Sequence, residues 1–354
     1  MGKQTHVLAI PCPAQGHVTP LLKLSNYIAS HGIKVTFVNT EFIHAKIIAA
    51  MPVHESDRSG ITLTSIPDGL EHNDDRKDFI KCWNSIQSVM PLYLTDLIEK
   101  INRSNADEQI TCVIADASIG WILEVADKLG IKKLVFLPAG PAGSAFLHNN
   151  IPKLIETGLI DCYGNLTRNE QISLSDDIPP WNNMEFPWSF PGDLKTQKHF
   201  LECFLTVKRA VDSVDLLLCN TCYELDKSSC DLITNILPIG PLITNNHAEN
   251  SASSGSFWPE DTACLSWLDR QQVGSVVYVA FGSIAVISQQ QFDELALGLE
   301  LSARPFLWVV RADLANGSGA VYPSGFLDRV ADQGKIVEWA PQEKVLAHPS
   351  IPVS

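Results

Sequence analysis

The chain has 354 residues, 45% hydrophobic and 19% charged, a length that fits two ordinary domains and a composition that excludes a disordered chain. A formal net charge of −14 excludes a nucleic-acid partner, which would need an extended basic surface, but not a small phosphorylated ligand held by local donors. Nine cysteines without metal-ligand spacing, no export-signal pattern and no bilayer-length apolar run predict reduced thiols, no metal, no membrane segment and a cytoplasmic location.

Short β-branched or apolar runs predict strands over 7–10, 34–39, 61–65, 112–115 and 133–137, and again over 216–219, 276–280, 306–310 and 336–338. Longer patterns between them predict helices over 20–30, 79–101, 119–129, 200–213 and 289–301. In the first of these helices Leu21, Leu22, Leu24, Tyr27 and Ile28 form one apolar stripe, with Lys23 and Asn26 opposite. Strands alternating with helices of this length predict right-handed βαβ units, a mostly parallel sheet and an α/β fold class. Segment 178–193 is rich in proline, tryptophan and phenylalanine, so it reads as a packed loop or a pocket lining and not as a core strand or helix. Segment 245–256 is small and polar, the composition of a linker. The division that follows is a first domain over 1–243, a linker over 244–260 and a second domain over 261–354.

Three places carry chemistry. Gly16 and His17 follow the first strand, at the sheet edge where parallel α/β proteins bind ligands. His17 there is either a general base or a side chain occupied by local capping bonds. Asp116 follows the fourth strand on the same edge; it can hold an imidazole in one tautomer, or simply cap the helix behind it. Gly282 and Ser283 follow the first strand of the second domain, where a Gly-Ser turn can offer N–H groups and a hydroxyl to phosphate oxygens. Dinucleotide, P-loop, nucleophile-elbow and zincin signatures do not occur.

Several segments in fixed order carry a resemblance: 11–20 (PCPAQGHVTP), 218–225 (LCNTCYEL), 237–242 (LPIGPL), 264–269 (CLSWLD), 277–283 (VYVAFGS), 306–311 (FLWVVR) and 339–348 (WAPQEKVLAH). Together they resemble the plant family 1 UDP-glycosyltransferases, over nearly the whole chain. The resemblance implies the GT-B fold, two Rossmann-like domains facing a cleft, here with the second domain incomplete. It implies that His17 deprotonates an acceptor hydroxyl and that Asp116 pairs with it. On the donor side it implies that Trp339 stacks on uracil, the Ala340 backbone bonds the uracil edge, Gln342 meets ribose and Ser283 lies near the diphosphate. The partners implied are a UDP-sugar co-substrate, with glucose the expected sugar, and a small apolar hydroxylated acceptor. Inversion at the anomeric carbon, no metal or other cofactor, and a monomer are also implied.

Two departures qualify this. Pro138 stands in the turn after the fifth strand, where the family often has a threonine at the donor sugar. The chain also stops at Ser354, inside the donor-binding box, which predicts weak turnover or none and leaves a non-catalytic small-molecule binder as the alternative. A GT-B sugar-nucleotide epimerase is a third reading, disfavoured by segment 339–348.

Overall fold

The computed structural model describes residues 4–50, 60–76, 78–149, 151–168, 170–173, 175–190, 192–243, 255–315, 319 and 321–352. Of the stretch read as the linker, residues 244–254 lie outside these, as does residue 191 of the proline-rich segment. The elements run β1 (His6–Ile10), α1 (Gln15–Ser30), β2 (Lys34–Thr40), α2 (Glu41–Ala50), β3 (Ile61–Ile66), α3 (Phe79–Ser104) and β4 (Cys112–Asp116). A 3₁₀ turn over Ala117–Ile122 leads to α4 (Leu123–Lys128), β5 (Lys132–Leu137), α5 (Ala142–Asn149), α6 (Ile151–Glu156), α7 (Leu194–Asp212), β6 (Leu217–Cys219), α8 (Lys227–Cys230) and β7 (Ile236–Pro238). Then come α9 (Ala263–Leu268), β8 (Val277–Val279), α10 (Gln289–Leu301), β9 (Phe306–Val309), α11 (Phe326–Arg329), β10 (Gly334–Val337) and α12 (Gln342–Leu346).

The chain divides into two compact units that meet in sequence at residues 255 and 256. The first holds a seven-stranded sheet in the order β3-β2-β1-β4-β5-β6-β7, every neighbouring pair parallel. Strand β1 is buried along its whole length, which is why it reads as a continuous apolar run and not as an alternation. The strand order reverses at β1 and β4, with Ile10 beside Ala115. That reversal is a topological switch point, and the carboxyl ends of β1 and β4 flank it. The second unit holds a three-stranded parallel sheet, β10-β9-β8, over a core in which the Phe292 and Trp308 rings stack at 4.7 Å.

Several expectations are corrected. Helix α1 starts at Gln15, not Pro20, because Ala14 is extended and its carbonyl accepts the N–H groups of His17 and Val18 at 2.9 Å each. Pro20 therefore lies inside the helix, and the Gly16 carbonyl that it cannot bond belongs to an exposed residue open to water. Helix α7 starts at Leu194, earlier than expected, because the Asp193 carboxylate caps it by accepting the Lys195 and Thr196 N–H groups at 3.0 and 3.1 Å. The helix expected over 119–129 is split into the 3₁₀ turn and α4, with a non-helical Ile119 at the kink.

The aromatic segment packs as core. Phe186 and Trp188 are buried and form one cluster with Phe146, and the Trp188 indole N–H donates to the Gly164 carbonyl at 3.0 Å. Gly164 has φ +83°, and a Cβ there would come within 2.3 Å of the Trp188 indole nitrogen, so only glycine permits the approach. Among the described residues no helix is long and apolar enough to cross a membrane. All nine cysteines are unpaired.

Candidate active site

The carboxyl ends of β1 and β4 bring His17 and Asp116 together. The His17 Nδ1 lies 2.8 Å from Asp116 Oδ2. Asp116 is 0% exposed, and its second oxygen accepts the Ser118 N–H at 2.8 Å as the cap of the 3₁₀ turn. One carboxylate thus serves both of the roles read for it, with one oxygen on each. A fully buried carboxylate facing an imidazole nitrogen favours a proton on that nitrogen, so Nδ1 donates and Nε2 carries the lone pair.

The His17 side chain is 29% exposed, and its Nε2 has no hydrogen-bond partner among the described residues. Burial depresses the His17 pKa, while the charge of Asp116 and its hydrogen bond act in the opposite direction and prevail, so the pKa lies above the ordinary histidine value. The result is an oriented, basic imidazole with a free nitrogen. A Cβ built on Gly16 meets nothing within 4 Å, so the space beside the histidine is open on that side.

In the second unit the three parallel strands deliver three groups at their carboxyl ends. After β8 comes the turn at Gly282 and Ser283, with Gly282 at φ +67°. After β9 comes Arg311, and after β10 come Trp339 and Ala340. Ser283 is half-buried and makes no hydrogen bond among the described residues. Trp339 is half-buried, its carbonyl accepts the Asp261 N–H at 2.9 Å, and its ring stacks on Trp258 with centroids 4.5 Å apart. The Ala340 side chain is buried, and its backbone N–H and C=O are both unpaired among the described residues. Gln342, the first residue of α12, is exposed, and its side chain bonds no described residue. Pro138 directs its carbonyl to the Asn220 side-chain amide, which donates at 3.2 Å.

Two contributors were not singled out from the sequence. Trp258 falls in the stretch read as a linker, where the aromatic pair Phe257-Trp258 was the available signal. Arg311 ends segment 306–311 (FLWVVR), where the sequence alone gives no sign of what the guanidinium bonds.

A doubly wound seven-stranded parallel sheet and a three-stranded parallel sheet, each with polar groups at its strand carboxyl ends, fit an α/β protein of the GT-B class. Residues 3–62 match the family model for the glycosyltransferase N-terminal domain, and residues 208–353 match that for UDP-glucoronosyl and UDP-glucosyl transferases. UDP-glycosyltransferase 83A1 of Arabidopsis thaliana is 43% identical over 98% of this chain and 73% of its own length. 7-Deoxyloganetin glucosyltransferase of Gardenia jasminoides is 31% identical over 98% of this chain and 75% of its own. Among solved structures, Phytolacca americana UGT2 complexed with UDP-2fluoro-glucose and pterostilbene superposes with a TM-score of 0.72 at 25% identity, over 99% of this chain and 75% of that one. The chain belongs to the UDP-glycosyltransferase family and is a UDP-dependent glycosyltransferase by that membership.

Proposed function

We propose that this protein transfers glucose from UDP-glucose to a hydroxyl of a small apolar acceptor, with inversion at the anomeric carbon and His17 as the base. The observation that carries the reading is the 2.8 Å contact from His17 Nδ1 to Asp116 Oδ2, which leaves Nε2 free and basic. In this scheme Nε2 takes the acceptor's hydroxyl proton. The oxygen then forms its bond to the anomeric carbon from the face opposite the diphosphate. The bond between that carbon and the diphosphate oxygen breaks, and its electron pair leaves with UDP. Asp116 stabilises the imidazolium that results.

The second unit supplies the donor-binding groups: Trp339 for the uracil face, the unpaired Ala340 backbone for its edge, Gln342 for ribose and Ser283 for the diphosphate. No metal or other cofactor enters the scheme. Glucose as the sugar is supported by relatives with glucosyltransferase in their names, including the Gardenia enzyme and (R)-mandelonitrile beta-glucosyltransferase of Prunus dulcis. No observation favours a binder without turnover.

The test is UDP release from UDP-glucose with a panel of apolar alcohols and phenols, pterostilbene among them, and the product's anomeric configuration read by NMR. His17→Ala should lower kcat by about 10²–10⁴-fold. Retained configuration, or wild-type turnover in the alanine variant, overturns the assignment.

A further inference from the structure

The loop after β8 is held in an unusual way. Most of it is not packed into the core: Ile284 is 75% exposed, and Phe281 and Val286 are exposed as well. Apolar burial therefore does little to fix its course. Beneath it lies Arg311, a charged residue only 3% exposed. Its Nη1 donates to the Gly282 carbonyl at 2.6 Å, its Nη2 to the Ala285 carbonyl at 2.8 Å and its Nε to Asp313 Oδ1 at 3.1 Å. A buried guanidinium is expensive to desolvate, and a single partly exposed carboxylate beside it is thin compensation. Its other bonds are to the backbone of the loop.

Those bonds decide which way the loop's donors face. The peptide unit is planar and trans, so its C=O and the following N–H point in opposite directions. With the Gly282 carbonyl turned down onto the guanidinium, the Ser283 N–H of the same peptide plane is turned away from it. That N–H and the Ser283 hydroxyl are without partners among the described residues. A left-handed Gly282, at φ +67°, allows the turn.

We infer that Arg311 is a positioning residue: its fork on the Gly282 and Ala285 carbonyls orients the Ser283 peptide so that its N–H and hydroxyl meet the diphosphate of the donor nucleotide. This rests on the donor assignment proposed above. Lysine cannot replace it, because a single ammonium lacks the rigid pair of donors that spans two carbonyls.

The test compares UDP with uridine, which lacks the diphosphate, by calorimetry on the full chain. Arg311→Met should weaken UDP binding by about tenfold to a hundredfold, the loss of one or two hydrogen bonds to a charged group, while leaving uridine within about twofold. Arg311→Lys should lose nearly as much, and Ser283→Ala should lose less, because it keeps the N–H. Trp339→Ala should weaken both ligands alike. Equal UDP affinity in wild type and Arg311→Met overturns the inference and leaves the donor assignment standing. So does a parallel loss of UDP and uridine in both Arg311 variants, which marks a purely structural role. If the wild-type chain binds uridine and UDP equally, the diphosphate site itself falls, and the inference with it.

Discussion

The two units build their sites by different means. In the first, the proposed base is a side chain, and one neighbouring carboxylate orients it: His17 and Asp116 lie 2.8 Å apart at the ends of adjacent strands. In the second, the proposed contacts combine a ring face, backbone groups and the Ser283 and Gln342 side chains, and two of them, Trp339 and Ser283, are held by residues with no ligand role of their own. Trp258 lies against Trp339, and Arg311 grips the loop that carries Ser283. A substitution in the first site should therefore change chemistry, whereas one in the supports of the second should change affinity.

The largest expected effect tests the first half of that contrast. His17→Ala removes the base and should lower kcat by about 10²–10⁴-fold, with KM for UDP-glucose little changed. A rise in KM with kcat preserved would mean that the two sites are not separable in this way.

Asp116→Asn keeps the imidazole but removes the charge that fixes its tautomer, so the fall in kcat should be no larger than that of His17→Ala, within about 10²–10⁴-fold. Its signature is in the pH profile. Proton abstraction requires neutral His17, and Asp116 holds the His17 pKa up against burial, which alone would depress it. The acid limb of kcat/KM should therefore lie above the ordinary histidine value, about 6.5. In Asp116→Asn it should move to lower pH, because burial then acts unopposed. A limb that stays in place would show that another group sets it. The same shift has a stability counterpart. A histidine pKa raised in the folded state contributes stability below its unfolded value of about 6.5, and that contribution is lost as the pH rises through the folded pKa.

The legibility of the two sites in the sequence follows the same division. Buried parallel strands such as β1 are continuous apolar runs, so the first sheet was readable, and residues just past such strands were natural suspects. His17 and Asp116 are singled out that way, and the structure brings their side chains into contact. The start of α1 was not, because Pro20 resembles a first-turn proline and the extended Ala14 leaves no mark in composition. Strand β7 was also missed as a strand; it is three residues long and ends on Pro238. The supports of the second site were hidden for a deeper reason. Arg311 bonds carbonyls 29 and 26 residues away, and a backbone acceptor carries no residue type to read. Trp258 was masked by the small polar residues before it, which gave the whole stretch the composition of a linker.

Trp258 gives a smaller effect on the second half of the contrast. An aromatic pair is worth about 0.5–1.5 kcal/mol beyond its burial, so Trp258→Leu should raise KM for UDP-glucose by about two- to tenfold at constant kcat. Trp258→Phe should recover most of the loss. A fall in kcat with unchanged KM would place Trp258 with the chemistry instead.

The smallest effect separates the two ends of the exposed loop. Arg311 holds its start, and its far end runs into α10 through a capping box, in which Ser288 Oγ accepts the Gln291 N–H at 3.2 Å and the Gln291 side chain accepts the Ser288 N–H at 2.9 Å. Ser288→Ala removes the first bond and leaves the second. Losing such a cap costs about 1 kcal/mol, since water reaches the freed N–H at an exposed helix end. The thermal unfolding midpoint should fall by a few degrees. Affinity for UDP should nevertheless stay within about twofold, because the Gly282–Ser283 peptide is oriented by the guanidinium and not by the helix cap. If UDP affinity falls together with the midpoint, the loop is under tension from both ends. The orientation of Ser283 would then be a property of the whole segment from Gly282 to Gln291, and Arg311 would be one of two supports.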